Sequence, residues 1–239
     1  MDKKEALKKG LMYADKSLRK DKEMVLYSIN FDSRALKFAD KSLKKDKKFI
    51  LEAIKKNSLV LQYADKSLRK NKEVVLEAVK QDGDALEFAD DSLRKDKKFI
   101  LKAIKLGSLF LQYADKSLKK DKKFILELIK LYPKELDNLL SSVDISLMKD
   151  KKFILEIIKK TLPRGYVLHF ADDSLKKDKK FILEAVKQDF FVLEYADKSL
   201  RKNKEVVLEA VKQDGDALEF ADESLRNDPD ILAIVNKKK

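Results

Sequence analysis

The chain contains one segment of twenty-five residues twice, letter for letter. Residues 64–88 read ADKSLRKNKEVVLEAVKQDGDALEF, and residues 196–220 repeat that string without a change. Less perfect copies recur along the rest of the chain, and self-similarity at a fixed period is typical of repeat arrays. The sequence therefore predicts one structural unit copied many times, with each copy covering the apolar surface of the next.

The spacing of the copies is regular except at the centre. The unit core A-D-x-S-L begins at residues 14, 39, 64, 89, 114, 143, 171, 196 and 221. Successive cores are 25 residues apart, but the two steps that flank Val143 are 29 and 28 residues. We therefore expect one continuous repeat domain over residues 1–239, with an irregular centre at residues 131–166.

Each unit carries the signals of two short helices. Asp or Asn precedes the first helix in every unit, as Asp46 does, and both residue types are strong N-caps. The apolar residues that follow recur at i, i+1, i+4 and i+5, which is helical periodicity. The second helix is predicted to start after a cap such as Asp82 and to run unbroken through Leu93. Because helices this short are marginal alone, they must stack on neighbours to bury their apolar faces.

These signals predict an all-α fold, namely a right-handed α-solenoid or superhelix of about nine two-helix repeats of 25 residues. The absence of cysteine excludes disulfides and thiolate metal sites. The first residues lack the apolar stretch of a signal peptide, and no apolar run approaches the roughly 20 residues of a membrane span. We expect a cytoplasmic monomer without a membrane contact, although delivery into a host cell is compatible with the sequence.

The turn between the second helix of one unit and the first helix of the next is basic. Regular stacking would align these turns as a basic ridge, and helix N-termini suit phosphate. The candidate contacts on this basic ridge are Lys44, Lys45, Lys47, Arg94, Lys95, Lys97, Lys119, Lys120, Lys122, Lys149 and Lys151. Acids are usually preferred in the first turn of a helix, so lysine at this place is a poor choice for helix stability alone.

The same charges also have a structural interpretation, which we favour. Asp90 and Arg94 are four residues apart with the acid first, the preferred order for an ion pair on a helix surface. Asp40 and Lys44 repeat this spacing. Cations in the last turn of a helix also suit its dipole. On this interpretation the ridge is a solvated and partly neutralised surface.

Most units place an aromatic residue directly before the anchor alanine. This aromatic column consists of Tyr13, Phe38, Tyr63, Phe88, Tyr113, Phe170, Tyr195 and Phe220. Base stacking on an ordered aromatic row is one interpretation, and packing at the edge of the apolar stripe is the favoured one. His169, the one histidine, is expected to be exposed and without a role.

The two insertions at the centre form the other candidate site. Its residues are Tyr132, Pro133, Pro163, Arg164 and Tyr166. Insertions in repeat arrays map to one face and often mark the binding region. A neutral kink in the array is the alternative interpretation, and both stay open at this point.

Catalysis is not expected, because site chemistry needs a unique constellation of residues. Paired carboxylates occur in every unit alike, and no phosphate loop or metalloprotease motif is found. We therefore predict a protein that is not an enzyme and that takes no cofactor and no metal.

The unit pattern A-D-x-S-L-[RK]-[KN]-[DN]-x-x-[FV]-[IV]-L-x-A-[IV]-K resembles a tandem helical repeat family described only as a domain of unknown function. That family is found mainly in bacteria and in some single-celled eukaryotes. The resemblance spans about residues 11–235, and the run from Val143 to Met148 departs from the pattern. It implies no catalytic residue and no assigned ligand.

Two functions are compatible with this sequence. We expect a non-enzymatic protein-binding scaffold, since extended repeat surfaces usually serve that purpose. It would inhibit or modulate a partner from a host or a competing genome, for example a nucleic-acid enzyme. The alternative is direct binding of nucleic acid along the basic ridge, because a net charge of +13 attracts polyanions.

Overall fold

The computed structural model describes residues 10–106, 111–160 and 165–238. All regular elements in these residues are helical, and no strand occurs among them. None of these described helices combines the length and the apolar character that crossing a membrane requires. The chain divides into two compact units, Met1–Leu118 and Lys119–Lys239. The same repeat builds both units, so the all-α repeat fold predicted from the sequence is confirmed.

Each repeat contains one long helix that begins after the predicted Asp or Asn. The long helices are α1 (Lys22–Phe31), α2 (Lys47–Lys56), α3 (Lys72–Gln81), α4 (Lys97–Ile104), α5 (Lys122–Leu131), α6 (Lys151–Lys160), α7 (Lys179–Val186), α8 (Lys204–Gln213) and α9 (Pro229–Lys238). The Asp46 carboxylate accepts the Phe49 amide at 3.1 Å, and the Asn71 side chain accepts the Val74 amide at 3.2 Å. The predicted N-caps are therefore confirmed.

The predicted apolar face of the long helix forms the core. In α2 the buried residues are Phe49, Ile50, Ala53 and Ile54, which occupy the i, i+1, i+4 and i+5 positions. Burial of each large side chain among them contributes about 1.5–3 kcal/mol. In the first unit α1 contacts α2, α2 contacts α3, and α3 contacts α4; in the second unit the contacts run in chain order from α5 to α9. Adjacent repeats therefore cover one another, as the sequence predicts.

The second half of each repeat is two segments rather than one helix. The segment before the anchor alanine is a 3-10 helix at Leu11–Tyr13, Ser58–Tyr63, Gly83–Phe88, Leu111–Tyr113, Pro133–Glu135, Gly165–His169 and Gly215–Phe220. It is α-helical at Ala35–Phe38, Leu136–Ser142 and Val192–Tyr195. A separate short helix follows at Lys16–Lys20, Lys41–Lys45, Lys66–Arg69, Asp91–Arg94, Lys116–Lys119, Ile145–Met148, Asp173–Lys176, Lys198–Arg201 and Glu223–Arg226.

The prediction of an unbroken second helix through Leu93 is therefore wrong. Ala89 is extended, with φ −63° and ψ 149°. Asp90 then caps the short helix, because its carboxylate accepts both the amide and the hydroxyl of Ser92. An Asp that bonds the backbone in this way competes with a continuous helix, so the A-D-x-S motif divides two segments.

The break allows each repeat to bond to the one before it through the backbone. The amide of the Asp after the anchor donates to a carbonyl at the end of the preceding short helix, at 2.9–3.1 Å. The pairs are Asp40–Arg19, Asp65–Lys44, Asp90–Arg69, Asp115–Arg94, Asp144–Lys119, Asp172–Met148, Asp197–Lys176 and Asp222–Arg201. Because a carbonyl accepts the bond, the degenerate central repeat keeps it with Met148 in place of Lys or Arg.

The first insertion adds a helix, Leu136–Ser142, between the 3-10 segment of the central repeat and its anchor Val143. After α5 ends, Pro133 opens the 3-10 turn that leads into Leu136–Ser142. Proline suits this first position because its missing amide hydrogen would have no helical partner. Tyr132 forms the junction, and its amide donates to Leu128 at 2.8 Å.

Close backbone packing follows the second insertion. Gly165 is buried, and its amide donates to the Asp189 carboxylate at 2.8 Å. A Cβ atom at Gly165 would lie 2.4 Å from the backbone carbon of Phe191. Pro163 and Arg164 lie outside the described residues.

Substitution of Gly165 by Ala should destabilise the second unit by about 1–3 kcal/mol, the usual cost of overpacking. The matched control is Gly215→Ala, where the nearest atom is a Val235 methyl at 3.2 Å. A side chain can shift where a backbone cannot, so this control should change the free energy of unfolding by less than about 1 kcal/mol. Urea unfolding measures both variants, and equal effects would contradict the close approach at Gly165.

Candidate functional site

The first lysine of a long helix pairs with the N-cap acid of the next long helix. These pairs are Lys22–Asp46, Lys72–Asp96, Lys122–Asp150, Lys151–Asp178 and Lys204–Asp228. The Lys22 Nζ lies 2.7 Å from Asp46 Oδ2. This hydrogen bond, followed by one from the Phe49 amide, lowers the pKa of Asp46. Each cap therefore both starts its own helix and binds the preceding repeat.

Two long helices have an uncharged Asn cap. In both, the acid that pairs with the lysine of the preceding repeat lies two residues after the cap. Asn71 caps α3, and the preceding Lys47 instead contacts Glu73, with 2.6 Å between Nζ and Oε2. The second case is formed by Asn203, Lys179 and Glu205, also with a 2.6 Å contact. In five helices with an Asp cap, the residue at the Glu position is Lys48, Lys98, Lys123, Lys152 or Lys180. The ion pair between repeats is thus kept while its acid changes place.

A second, looser set of ion pairs joins the same repeats. It consists of Lys70–Asp90, Lys120–Asp144, Lys149–Asp172 and Lys202–Asp222, with N–O distances of 3.7–3.9 Å. The hydroxyl and the amide of Ser92 lower the pKa of Asp90 first, and the Lys70 charge lowers it further. Exposed ion pairs at this distance each stabilise the fold by at most about 1 kcal/mol. Their combined contribution to stability comes from their repetition along the chain.

A basic residue in the last turn of the short helix folds back onto the backbone of the segment before it. Arg19 Nε donates to the Ala14 carbonyl at 2.9 Å, and Lys44 Nζ donates to the Lys37 carbonyl at 2.5 Å. The burial of Lys44 lowers its pKa. The spacing-based pairing of Asp90 with Arg94 is not what the structure shows, because the Arg94 guanidinium pairs with Asp91.

The basic ridge is therefore largely committed to contacts within the protein. Its candidates in the contacts above are Lys44, Lys47, Arg94, Lys120, Lys122, Lys149 and Lys151. The hydrogen bonds from Ser67 and Ser117 lower the pKa values of the Asp65 and Asp115 carboxyls first, and the charges of Lys45 and Lys95 lower them further. Lys97 and Lys119 also have partners. A polyanion on this ridge would compete with the junctions between repeats.

Lysines without an ion pair lie near the C-terminal ends of the long helices. In the described part of the chain they include Lys55, Lys80, Lys105, Lys130, Lys159 and Lys187, all exposed. Their charge suits the negative end of the helix dipole. The sequence analysis missed this set because composition alone does not show which lysines neighbouring repeats neutralise.

The aromatic column packs between repeats. The Tyr113 hydroxyl donates to Asp84 Oδ1 at 2.8 Å, and the Phe220 ring lies 5.7 Å from the Phe191 ring. In both contacts the partner residue, Asp84 or Phe191, lies five positions before the anchor alanine of the preceding repeat. Most of these rings are half-buried, whereas Tyr13 is exposed. The geometry favours the packing interpretation over an open stacking row.

The described central candidates are divided between the end of α5 and the segment that precedes Ala171, and the Tyr166 hydroxyl donates to Asp137 Oδ2 in the helix Leu136–Ser142 at 3.4 Å. The Tyr166 ring is parallel to the His169 ring at 5.7 Å and meets the Tyr195 ring edge-on at 5.8 Å. The structure places Tyr132 and Pro133 at the end of α5. His169 is exposed, as predicted. No group of three or more acidic or imidazole side chains within the described ranges could hold a metal.

The first repeat carries a feature that the sequence analysis did not single out. Met12, Tyr13, Tyr27 and Phe31 are 44%, 62%, 54% and 71% exposed. They border a groove of about 770 Å³ whose wall also includes Phe38, Tyr63, Arg34 and Lys37. The Tyr27 and Phe31 rings lie one helical turn apart on α1, with 5.1 Å between their centres. We call this surface the aromatic groove.

The other repeats hold mostly polar residues where the aromatic groove is apolar. The equivalents of Tyr27 are Glu52, Glu77, Lys102, Glu127, Glu156, Glu184, Glu209 and, in the last repeat, the apolar Ile234. The equivalents of Phe31 are Lys56, Gln81, Leu106, Leu131, Lys160, Gln188 and Gln213. The equivalents of Met12 are Lys37, Gln62, Glu87, Gln112, His169, Glu194 and Glu219. An alignment of the repeats would have shown from the sequence that the first repeat is unusual at these three positions, but not that the residues meet around one groove.

Acid should weaken the junctions between repeats. The carboxyls of Asp46, Asp96, Asp150 and Asp178 have an ordinary pKa of 3.8, which the lysine and amide hydrogen bonds lower in the folded protein. The folded state therefore binds fewer protons than the unfolded chain. The stability that these groups contribute is complete above their ordinary pKa and is lost as pH falls through the folded value.

We expect the melting temperature to stay level from about pH 7 to pH 5 and to fall below about pH 4. Differential scanning calorimetry at constant ionic strength measures this profile. Asp46→Asn should flatten it slightly. A melting temperature that rises on acidification would contradict the role given to these acids.

The displaced acid provides a direct test of the ion pairs. Glu73→Lys should lower the free energy of unfolding by a few tenths to about 1 kcal/mol, because Lys47 then faces a like charge. Adding Asn71→Asp gives this helix the Asp cap and the following Lys that five other repeats have. It should restore most of the lost free energy of unfolding. Urea unfolding of the two single variants and the double variant measures the coupling, and strictly additive effects would contradict it.

Comparison with known proteins agrees with the repeat architecture. A family model described as Domain of unknown function (DUF4116) matches residues 4–44, 46–94, 96–142, 150–201 and 203–237. Most of these matches span about two of the 25-residue steps. No curated protein and no solved structure matches the chain. Since the five matches cover nearly all of its residues, the chain belongs to the DUF4116 family of tandem repeats.

Proposed function

We propose that the protein is a non-enzymatic binding scaffold that holds a partner protein at the aromatic groove of its first repeat. The observation that carries this proposal is the exposure of Met12, Tyr27 and Phe31 at positions that are mostly polar elsewhere. Exposed apolar clusters on soluble proteins mark interaction sites. Aromatic residues and methionine are also enriched in protein interfaces.

The repeats of this chain serve as an internal reference for that argument. An isolated exposed apolar residue is ordinary on a protein surface, and Leu131 is an example. In the first repeat, however, four exposed apolar side chains meet around one groove. Tyrosine, which supplies contact area at a low cost in conformational entropy, accounts for two of them.

Nucleic-acid binding is the second candidate, and the unpaired lysines near the helix C-termini favour it over the basic ridge. Such binding would be electrostatic and would weaken steeply with salt. It gives no reason for the cluster of exposed aromatic rings in the first repeat. The same lysines also improve solubility and suit the helix dipoles.

The triple variant Met12→Gln/Tyr27→Glu/Phe31→Lys tests the scaffold. It gives the first repeat residues that other repeats carry at the same positions and leaves the net charge unchanged. Wild-type protein purified from its source should retain a protein partner through nuclease treatment and roughly 0.5 M salt, which removes electrostatic complexes. The triple variant should lose that partner while keeping the wild-type helix content and melting temperature.

Recovery of nucleic acid alone, lost on nuclease treatment, would favour the second candidate. A partner retained equally by the triple variant would move the contact to another surface. Reversal of Lys44, Lys45 and Lys47 to Glu is the corresponding test of the basic ridge. Unchanged affinity for nucleic acid in that variant would exclude the ridge as the contact.

A further inference from the structure

We propose that the aromatic groove binds an acidic peptide segment that carries apolar anchor residues. This inference rests on the proposed function and adds the chemistry of the partner. Two features of the groove support it separately: its floor selects apolar side chains, and the charges beside it select acids.

The floor has the chemistry of an anchor pocket. The rings of Tyr13, Tyr27, Phe31, Phe38 and Tyr63 line one groove. Buried aromatic residues in such pockets dominate the affinity of protein interfaces. A groove of about 770 Å³ is large enough for several side chains of one peptide, since ligand pockets are roughly 300–1,000 Å³. A purely polar or purely charged ligand would leave these rings without a function.

The charge beside the groove is positive. Arg34 and Lys37 line it, and Asp32 is the acid in its wall. Arg34 Nε lies 2.9 Å from Asp32 Oδ2, and this contact lowers the pKa of Asp32. These two charges therefore offset each other, and the charge of Lys37 leaves the wall positive. Lys37 forms no ion pair in the described part of the chain.

The following repeat adds two more cations. Lys55 and Lys56 occupy the positions on α2 that Asn30 and Phe31 occupy on α1, and the two helices pack together. Packed helices lie roughly 8–10 Å apart, so the end of α2 that carries these lysines lies beside the helix that carries Tyr27 and Phe31. Glu52 is the one acid in this last stretch of α2. The charges therefore favour a negative peptide over a positive one.

The experiment uses three labelled synthetic peptides and the full-length protein. The first is a 16-residue peptide with Leu and Phe at i, i+3, i+4 and i+7 and with Asp and Glu elsewhere. The second has the same composition in scrambled order, and the third replaces each acid by Lys. Fluorescence anisotropy at about 0.15 M salt, where distant charges are screened, measures the dissociation constants.

We expect the acidic patterned peptide to bind at least about tenfold more tightly than either control. The triple variant should weaken its binding by at least about tenfold. Arg34→Asp/Lys37→Glu uses Asp84 and Glu87, the residues at these positions two repeats later, and should weaken binding of the acidic peptide and strengthen binding of the basic one. Circular dichroism and urea unfolding confirm that each variant is folded.

Equal binding of the scrambled peptide would show attraction by charge alone and would overturn the proposal. Equal binding of the basic peptide would overturn it as well.

Sedimentation of the wild type as a dimer and of the triple variant as a monomer would make a second copy of the chain the occupant instead. Tenfold tighter peptide binding by Leu7→Lys would assign the groove to the chain's own first residues. A partner that depends on the groove but lacks acids would leave the scaffold standing and refute only this inference.

Discussion

From Asp40 onward, the hydrogen bond from the amide of the aspartate after the anchor to a carbonyl of the preceding repeat fixes how successive repeats pack on one another. It requires the anchor alanine to be extended, and this breaks the second half of the repeat into two segments. The same Asp then caps the short helix. One residue type thus ends a segment, starts the next and joins two repeats. The bond uses backbone atoms, so it survives at Met148, where the repeat pattern is otherwise lost.

Ion pairs reinforce these backbone bonds, and they change the meaning of the chain's high charge. Charged residues make up 41% of the sequence, but many of them face each other across the junctions between repeats. The shift from Asp caps to Asn71 with Glu73 shows that an acid is required within reach of the preceding lysine, in either of two places. The lysines in the first turn of the long helices look unfavourable within one helix. They are favourable between two, because the next cap is their partner.

A repeat protein provides its own reference for what is ordinary at each position. Against that reference the basic ridge is ordinary, since it recurs with its partners in repeat after repeat. The aromatic groove is exceptional, because the first repeat alone combines Met12, Tyr27 and Phe31. A structural role would be expected to recur with the repeat, whereas a binding role needs only one copy. This contrast is the reason that the proposed function is assigned to the groove.

The sequence by itself determined the all-α repeat fold, the register of the repeats and the buried face of the long helix. These follow from local signals: the period, the Asp and Asn caps and the spacing of residues such as Phe49 and Ile54. Tertiary structure decided which charges are neutralised, because Lys22 and Asp46 are 24 residues apart in the chain and meet only when the repeats stack. It also decided where the second helix breaks. The extended alanine places the amide of the next aspartate within hydrogen-bond distance of a carbonyl in the preceding repeat. Stacking of the repeats also brings Met12, Tyr27 and Tyr63 around one groove, because Tyr63 comes from a different repeat than the other two.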